Sequence, residues 1–244
     1  MILNCVKQCF NELIYFICFI YAIILPSIVC CEELDARISL EVEGTGFHRD
    51  LIYQIRIDPF VEKCYIAIYL QLPSALYVNV NELIHLRRLG VTTACSVGET
   101  DIELFTEKAG IQNVTICSHL TSIESTLKLP IHQRYQYANE NNRYINITLP
   151  KPKLLLGCKE RIKEYRVSKI DLCSPCVEII PKWREIPYIM VNDKNIENLW
   201  TTPVGEASML RVVTYITLIL TTLCTVLLMQ TIWNSIPKQH LKRD

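Results

Sequence analysis

Three stretches of this 244-residue chain carry side chains of the kind that do chemistry. Cys173-Ser-Pro-Cys176 has the spacing of a redox dithiol. That chemistry sets its first sulfur at a helix N-terminus, where the dipole favours the thiolate. Residues 177–180 run straight into Pro181 and read as strand and turn, so structural disulfides are favoured over a redox pair. A zinc knuckle would need a second close ligand pair, which His48, His85, His119 and His132 do not supply by spacing. In Pro130-Ile-His132-Gln-Arg134-Tyr135-Gln-Tyr137, a period of two puts His132 and Arg134 on one strand face. Such a face binds a carboxylate or phosphate, or is simply solvated and ion-paired, with Asp101 and Glu103 as available partners. Gly44-Thr-Gly46-Phe-His48-Arg49-Asp50-Leu51 lacks the third glycine and the helix of a dinucleotide loop. It also lacks the asparagine of a kinase catalytic loop, because position 55 is Ile. It reads as the entry to a strand.

The cysteines say more by position than by number. Of twelve, Cys5, Cys9, Cys18, Cys30 and Cys31 lie at the N-terminus and Cys224 lies in an apolar run. The remaining six are Cys64, Cys95, Cys117, Cys158, Cys173 and Cys176. An even set in an oxidising compartment points to as many as three disulfides, whose connectivity the sequence leaves open.

The elements that would hold these groups are mostly strands. Apolar residues alternate as Ile38, Leu40, Val42, then Leu51, Tyr53, Ile55, Ile57, and again as Ile145, Ile147, Leu149. Residues 65–72 (YIAIYLQL) are nearly continuous, as in a strand buried on both faces. Residues 79–89 are the best helical stretch, with Val80, Leu83, Ile84 and Leu86 on one side. The pattern predicts a mainly β protein, an antiparallel β-sandwich-like domain over residues 32–208. Two sequons, at Asn113 and Asn146, sit within strands whose phase turns Asn113, Thr115, Asn146 and Thr148 outward, as N-glycosylation requires.

Two apolar segments flank that domain. Residues 1–31 read as a secretory signal, with Lys7, a twelve-residue run at 14–25 and Pro26. Residues 209–233 read as a transmembrane helix, since 212–229 contain no charge, Pro or Gly. The tail 234–244 carries Lys238, Lys242 and Arg243, against Arg211 alone at the other end. That bias predicts a cytoplasmic tail and a type I, single-span topology. With 25 basic and 25 acidic residues, the chain has no net charge to attract nucleic acid.

The ordered strings Phe47-His48-Arg49-Asp50-Leu51, Leu72-Pro73-Ser-Ala-Leu-Tyr77-Val, Asn81-Glu82-Leu83, Asp101-Ile-Glu103 and Leu129-Pro130-Ile-His132-Gln-Arg134-Tyr135 resemble the PIG-X family. The stretch from Leu149-Pro150 to Cys158, Pro175-Cys176 and Thr202-Pro203-Val204-Gly205 extend the resemblance to the edge of the span. It implies a small, non-catalytic subunit of the endoplasmic reticulum enzyme that adds the first mannose during glycosylphosphatidylinositol (GPI) assembly. The implied partner is PIG-M, a multi-span mannosyltransferase that uses dolichol-phosphate-mannose, and the family role is to stabilise it. No cofactor is expected, and no Asp-x-Asp is present to hold a metal and a sugar phosphate. Two candidate contact surfaces follow, the His132, Arg134 and Tyr135 strand and a helix stripe of Thr214, Thr217 and Thr221. Lys242, third from the end, is half of a dilysine retrieval signal for the endoplasmic reticulum. The competing readings are a cell-surface adhesion or receptor ectodomain and a membrane-tethered thiol oxidoreductase acting through Cys173 and Cys176.

Overall fold

The computed structural model describes residues 34–140, 143–160, 162, 165–191 and 200–235, so the expected signal and most of the tail lie outside the described residues. Two five-stranded sheets make the fold. The strands are β1 (Asp35–Glu43), β2 (His48–Asp58), β3 (Cys64–Leu72), β4 (Leu76–Tyr77), β5 (Ala94–Gly98) and β6 (Gln112–His119). They continue with β7 (Glu124–Gln133), β8 (Tyr144–Ile147), β9 (Lys153–Cys158), β10 (Arg184–Glu185), β11 (Ile189–Val191) and β12 (Trp200–Pro203). One sheet runs β11-β1-β2-β7-β4, the second runs β10-β9-β3-β6-β5, and β12 pairs with β8 as a separate ribbon. The protein is mainly β, as its periodicity predicts. The β1–β11 pairing is parallel, a departure from the purely antiparallel arrangement expected.

Alternation builds the core. Leu51, Tyr53, Ile55 and Ile57 of β2 are buried, as are Leu127, Leu129 and Ile131 of β7. From the other sheet come Ile66, Ile68, Leu70 and Leu72, with Val114 and Ile116 beside them. The hairpin entry at 44–46 turns on two glycines in the left-handed region, Gly44 at φ 91° and Gly46 at φ 77°.

A second apolar cluster covers the outer face of the β3-containing sheet. Ala67, Cys117 and Leu155 project from it and meet Leu172, Cys176, Ile180 and Trp183 of the segment that follows β9. This explains why residues 65–72 read as continuously apolar: β3 is covered on both sides. It also corrects the expected exposure of Thr115. Thr115 takes the outer face, where it sits between Tyr69 and Cys95 in register and is buried.

The disulfides are Cys64–Cys158, Cys95–Cys173 and Cys117–Cys176. The first ties directly opposed residues of β3 and β9. The other two clamp the 170–183 segment onto the outer face. Residues 177–180 are not the expected strand: Cys176–Ile179 form a single helical turn, α2. Earlier in the chain, α1 (Val80–Arg88) begins where the Asn79 side chain accepts the Asn81 N–H at 3.0 Å. A 3-10 turn at Ala207–Met209 leads into α3 (Leu210–Ser235), whose 26 residues span about 39 Å. This helix is long and apolar enough to cross a membrane and is unburied throughout its apolar stretch.

Gly157 marks the tightest contact beneath the clamped segment. A Cβ there would lie 2.9 Å from the Ile180 Cγ2 and 3.0 Å from the Trp183 ring. Gly157→Ala should therefore destabilise the domain by about 1–3 kcal/mol through overpacking. A lowered melting temperature of the detergent-solubilised chain checks this; an unchanged value would mean the segment is not packed as described.

Candidate partner-binding site

Several of the strings that carry the family resemblance, among them residues 47–51, 72–78, 81–83 and 129–135, meet at one end of the sandwich. Antiparallel pairing of β2 with β7 sets His48 opposite His132 and Arg49 opposite Ile131. The pairing closes with the Gln133 N–H donating to the Phe47 carbonyl at 2.8 Å. Strand β4 adds on the far side, with Tyr77 opposite His132. The His132 ring lies between two neighbours, Tyr77 stacked at 5.1 Å and His48 at 4.6 Å between centroids. Glu82, in the first turn of α1, reaches both histidines. Its Oε1 lies 3.3 Å from His48 Nε2 and its Oε2 lies 2.7 Å from His132 Nε2.

The height of α1 above the sheet is fixed by a buried polar clamp. Gln112 accepts the Val78 N–H at 2.8 Å and donates to the Val78 carbonyl at 3.2 Å. Both ends of that amide are satisfied, as a buried polar group requires. Val78 then leads directly into the Asn79 cap.

Arg134 is where the sequence reading needs correction. It is not on a solvated strand face, because β7 ends at Gln133 and Arg134 is 2% exposed. Its guanidinium stacks 4.5 Å from the Tyr77 ring centre. Its Nη1 donates to the carbonyls of Asp101 at 2.5 Å and Leu104 at 3.2 Å. Burial pushes the guanidinium below its ordinary pKa, opposed by the nearby Glu99, Tyr77 and Asp101. Asp101 is thus a partner, its carbonyl accepting a hydrogen bond and its carboxylate acting only through its charge. The loop that presents these carbonyls is tied by Glu99, which accepts the N–H groups of Asp101 and Gly110 and is held below the usual carboxylate range by those bonds.

Beyond Arg134 the chain turns its aromatic side chains outward. Tyr135 is 69% exposed and packs at 5.0 Å on Phe47; Tyr137 stacks at 4.9 Å on Phe105. The segment is clipped on both sides. The Thr106 N–H donates to the Tyr135 carbonyl and the Tyr137 N–H to Glu107 Oε1, both at 2.9 Å. The Asn139 N–H donates to the Gly205 carbonyl at 2.8 Å, and the Ala207 N–H returns to the Asn139 carbonyl at 3.1 Å. The exposed aromatics therefore ride on a segment bonded to the residues that immediately precede the apolar helix.

Other expected residues fall elsewhere. The hydroxyls of Thr214, Thr217 and Thr221 bond to carbonyls three or four residues earlier, so each is satisfied within α3. Asn146 is exposed and accepts the Thr201 hydroxyl at 3.0 Å, whereas Asn113 is half-buried. Cys173 and Cys176 are each bonded to a different strand and not to each other, which removes the thiol pair a redox reading needs. The Arg49 guanidinium sits 4.7 Å from the Trp200 ring centre and Asp50 pairs with Lys128 at 2.9 Å, contacts that spacing alone did not reveal.

These features define a class: a disulfide-braced β-sandwich carrying, among the described residues, one apolar, membrane-length helix at its C-terminal side. The chain belongs to the family described as PIG-X / PBN1, which it matches over residues 44–233. It is 30% identical over 218 residues to a human protein named "GPI alpha-1,4-mannosyltransferase I, stabilizing subunit", covering 84% of this chain and 81% of that protein. Rat and mouse proteins of the same name are each 26% identical over 217 residues, covering 84% of this chain and 83% of theirs.

Arg134→Ala removes two hydrogen bonds from a buried cation and should destabilise the domain by about 1.5–3 kcal/mol. Thermal melting and protease resistance of the purified chain measure this. Full retention of stability would mean that Arg134 does not anchor the 101–107 loop.

Proposed function

We propose that this chain is the non-catalytic stabilising subunit of GPI mannosyltransferase I. It supports transfer of the first mannose to the GPI precursor by binding a PIG-M-like polytopic catalytic subunit. In this reading residues 1–31 are a removed signal and residues 32–208 form a lumenal domain. Residues 209–233 cross the endoplasmic reticulum membrane and 234–244 face the cytoplasm. The observation that carries it is the extent of the likeness to proteins named as stabilizing subunits, which includes the strings gathered at the Glu82 end of the sandwich and the apolar helix alike. A subunit of this kind acts by mass action, because whatever binds only the folded form of its partner stabilises that form.

The contact surface proposed here is a correction of the strand face expected from the sequence. His132 lies at its edge and Tyr135, Tyr137 and Phe105 supply exposed aromatic area, the residue class most used at interface centres. Arg134 is a positioning residue beneath them. Within the membrane, Thr214, Thr217 and Thr221 give a face of small side chains suited to close helix contact. In cells lacking the native protein, the wild-type chain should co-purify with the catalytic subunit and restore GPI-anchored proteins at the surface. Tyr135→Ala with Tyr137→Ala should leave the chain folded yet lower the catalytic subunit's level several-fold. Failure of the wild type would sink the functional reading, and full rescue by the double variant would sink only the assigned surface.

The lumenal orientation has its own test, because Asn113 and Asn146 are proposed as glycosylated. Endoglycosidase should shift the wild type on a gel by as many as two glycans, with Asn146→Gln removing the exposed site and the Asn113→Gln, Asn146→Gln chain not shifting at all. Sensitivity to the high-mannose-specific enzyme should persist for a resident of the endoplasmic reticulum. A wild-type chain without glycans would overturn the orientation.

A further inference from the structure

We propose that His48, Glu82 and His132 form a zinc site at the end of the sandwich. One ligating atom from each residue lies within 4.8 Å of the other two. Both imidazoles aim Nε2 at opposite oxygens of a single carboxylate, at 3.3 Å and 2.7 Å. Bonds of about 2.1 Å to a tetrahedral zinc set neighbouring ligand atoms about 3.4 Å apart. The imidazole nitrogens stand 3.3 Å and 2.7 Å from the carboxylate oxygens, and all three ligand atoms lie within 4.8 Å, so small side-chain rotations reach that spacing. Two imidazoles with one carboxylate is a set that zinc takes while keeping water in the fourth position. Magnesium and calcium instead prefer all-oxygen shells.

The ligands come from three elements, and each is held independently of any ion. His48 and His132 are opposed in the β2–β7 register, so both project from the same face at neighbouring positions. The His132 ring is fixed between Tyr77 and His48. Glu82 is set by the Asn79 cap and by the Gln112 clamp on Val78. The side chains of His48, His132 and Glu82 are 50%, 21% and 29% exposed, which leaves an open side for ion entry and for the water ligand. Bound there, zinc would tie β2, β7 and α1 into one unit at the end from which the aromatic segment departs. This reading does not depend on the partner assigned above.

The alternative is a carboxylate bridging two histidines by hydrogen bonds alone, and the test separates the two. The full-length chain, purified in detergent with a histidine-free tag, is titrated with zinc chloride and assayed for metal after gel filtration. One zinc per chain is expected, with a raised melting temperature that a chelator reverses and that magnesium chloride does not produce. His48→Gln keeps a hydrogen-bonding group toward Glu82 but loses the imidazole, and His48 is half-exposed, so this variant should fold. It should bind zinc at least about 100-fold more weakly, since even losing a supporting partner of a ligand costs about 10–100-fold. His132→Gln should behave likewise; if it fails to fold, Glu82→Gln replaces it. A wild-type chain that holds no zinc, or zinc binding unchanged in His48→Gln, overturns the proposal and leaves the hydrogen-bonded bridge.

Discussion

The register of β2 against β7 is the constraint on which the rest depends. It places His48 opposite His132, leads Phe47 to Gln133, and so sets where Arg134 leaves the sheet. A slip of one residue would turn Leu127, Leu129 and Ile131 outward and bury Lys128 and His132 in their place. Each buried aliphatic side chain contributes roughly 1.5–3 kcal/mol, whereas a cross-strand pair contributes about 0.2–1 kcal/mol. The core therefore decides the register, and the polar end follows it. That ordering lets the end carry polar groups without endangering the fold.

The outer face of the second sheet solves a different problem. The 170–183 segment has one helical turn and little other regular structure, so backbone bonding alone would not hold it. Two disulfides and the packing of Leu172, Ile180 and Trp183 on Leu155 and Ala67 do so instead. A disulfide is worth about 2–4 kcal/mol. In return the segment covers β3, which otherwise would present Tyr65, Ala67 and Tyr69 to solvent.

What was legible in the sequence was whatever a local period encodes. The inward residues of β2, the doubly covered β3 and the helix after Asn79 follow from alternation and capping read within a dozen residues. Pairings between distant strands carry no local signal, so neither the disulfide connectivity nor the meeting of His48, Glu82 and His132 could be read. Arg134 was misplaced because the period of β7 was carried on to Tyr137, past the strand's end at Gln133, where the chain bends toward Ala75 and the Arg134 N–H donates to the Ala75 carbonyl at 2.9 Å. Thr115 has the side of its strand that alternation gives, but a segment more than fifty residues away covers that side. Asp101 and Glu103 were expected as available partners of the His132/Arg134 face; Asp101 meets Arg134 with a carbonyl, a contact that side-chain patterns do not encode.

On the proposed reading, in which the chain binds a membrane-embedded catalytic subunit, the clip between Asn139 and residues 205–207 bears on the cost of binding. Association of two proteins costs about 4–15 kcal/mol in lost freedom, and ordering flexible side chains or loops at the interface adds to it. A span shared in one bilayer reduces the first cost, because the second contact becomes intramolecular once the helices have met. The second cost falls if the aromatic surface is already ordered relative to the start of the apolar helix. Arg134 on the loop carbonyls, Glu107 on the Tyr137 N–H and the paired bonds of Asn139 provide that order. A loosely tethered sandwich with the same aromatic residues would have to find its orientation anew on each encounter. The core energy thus lies far from the proposed contact, while a handful of backbone bonds beside the apolar helix keeps the aromatic surface ordered.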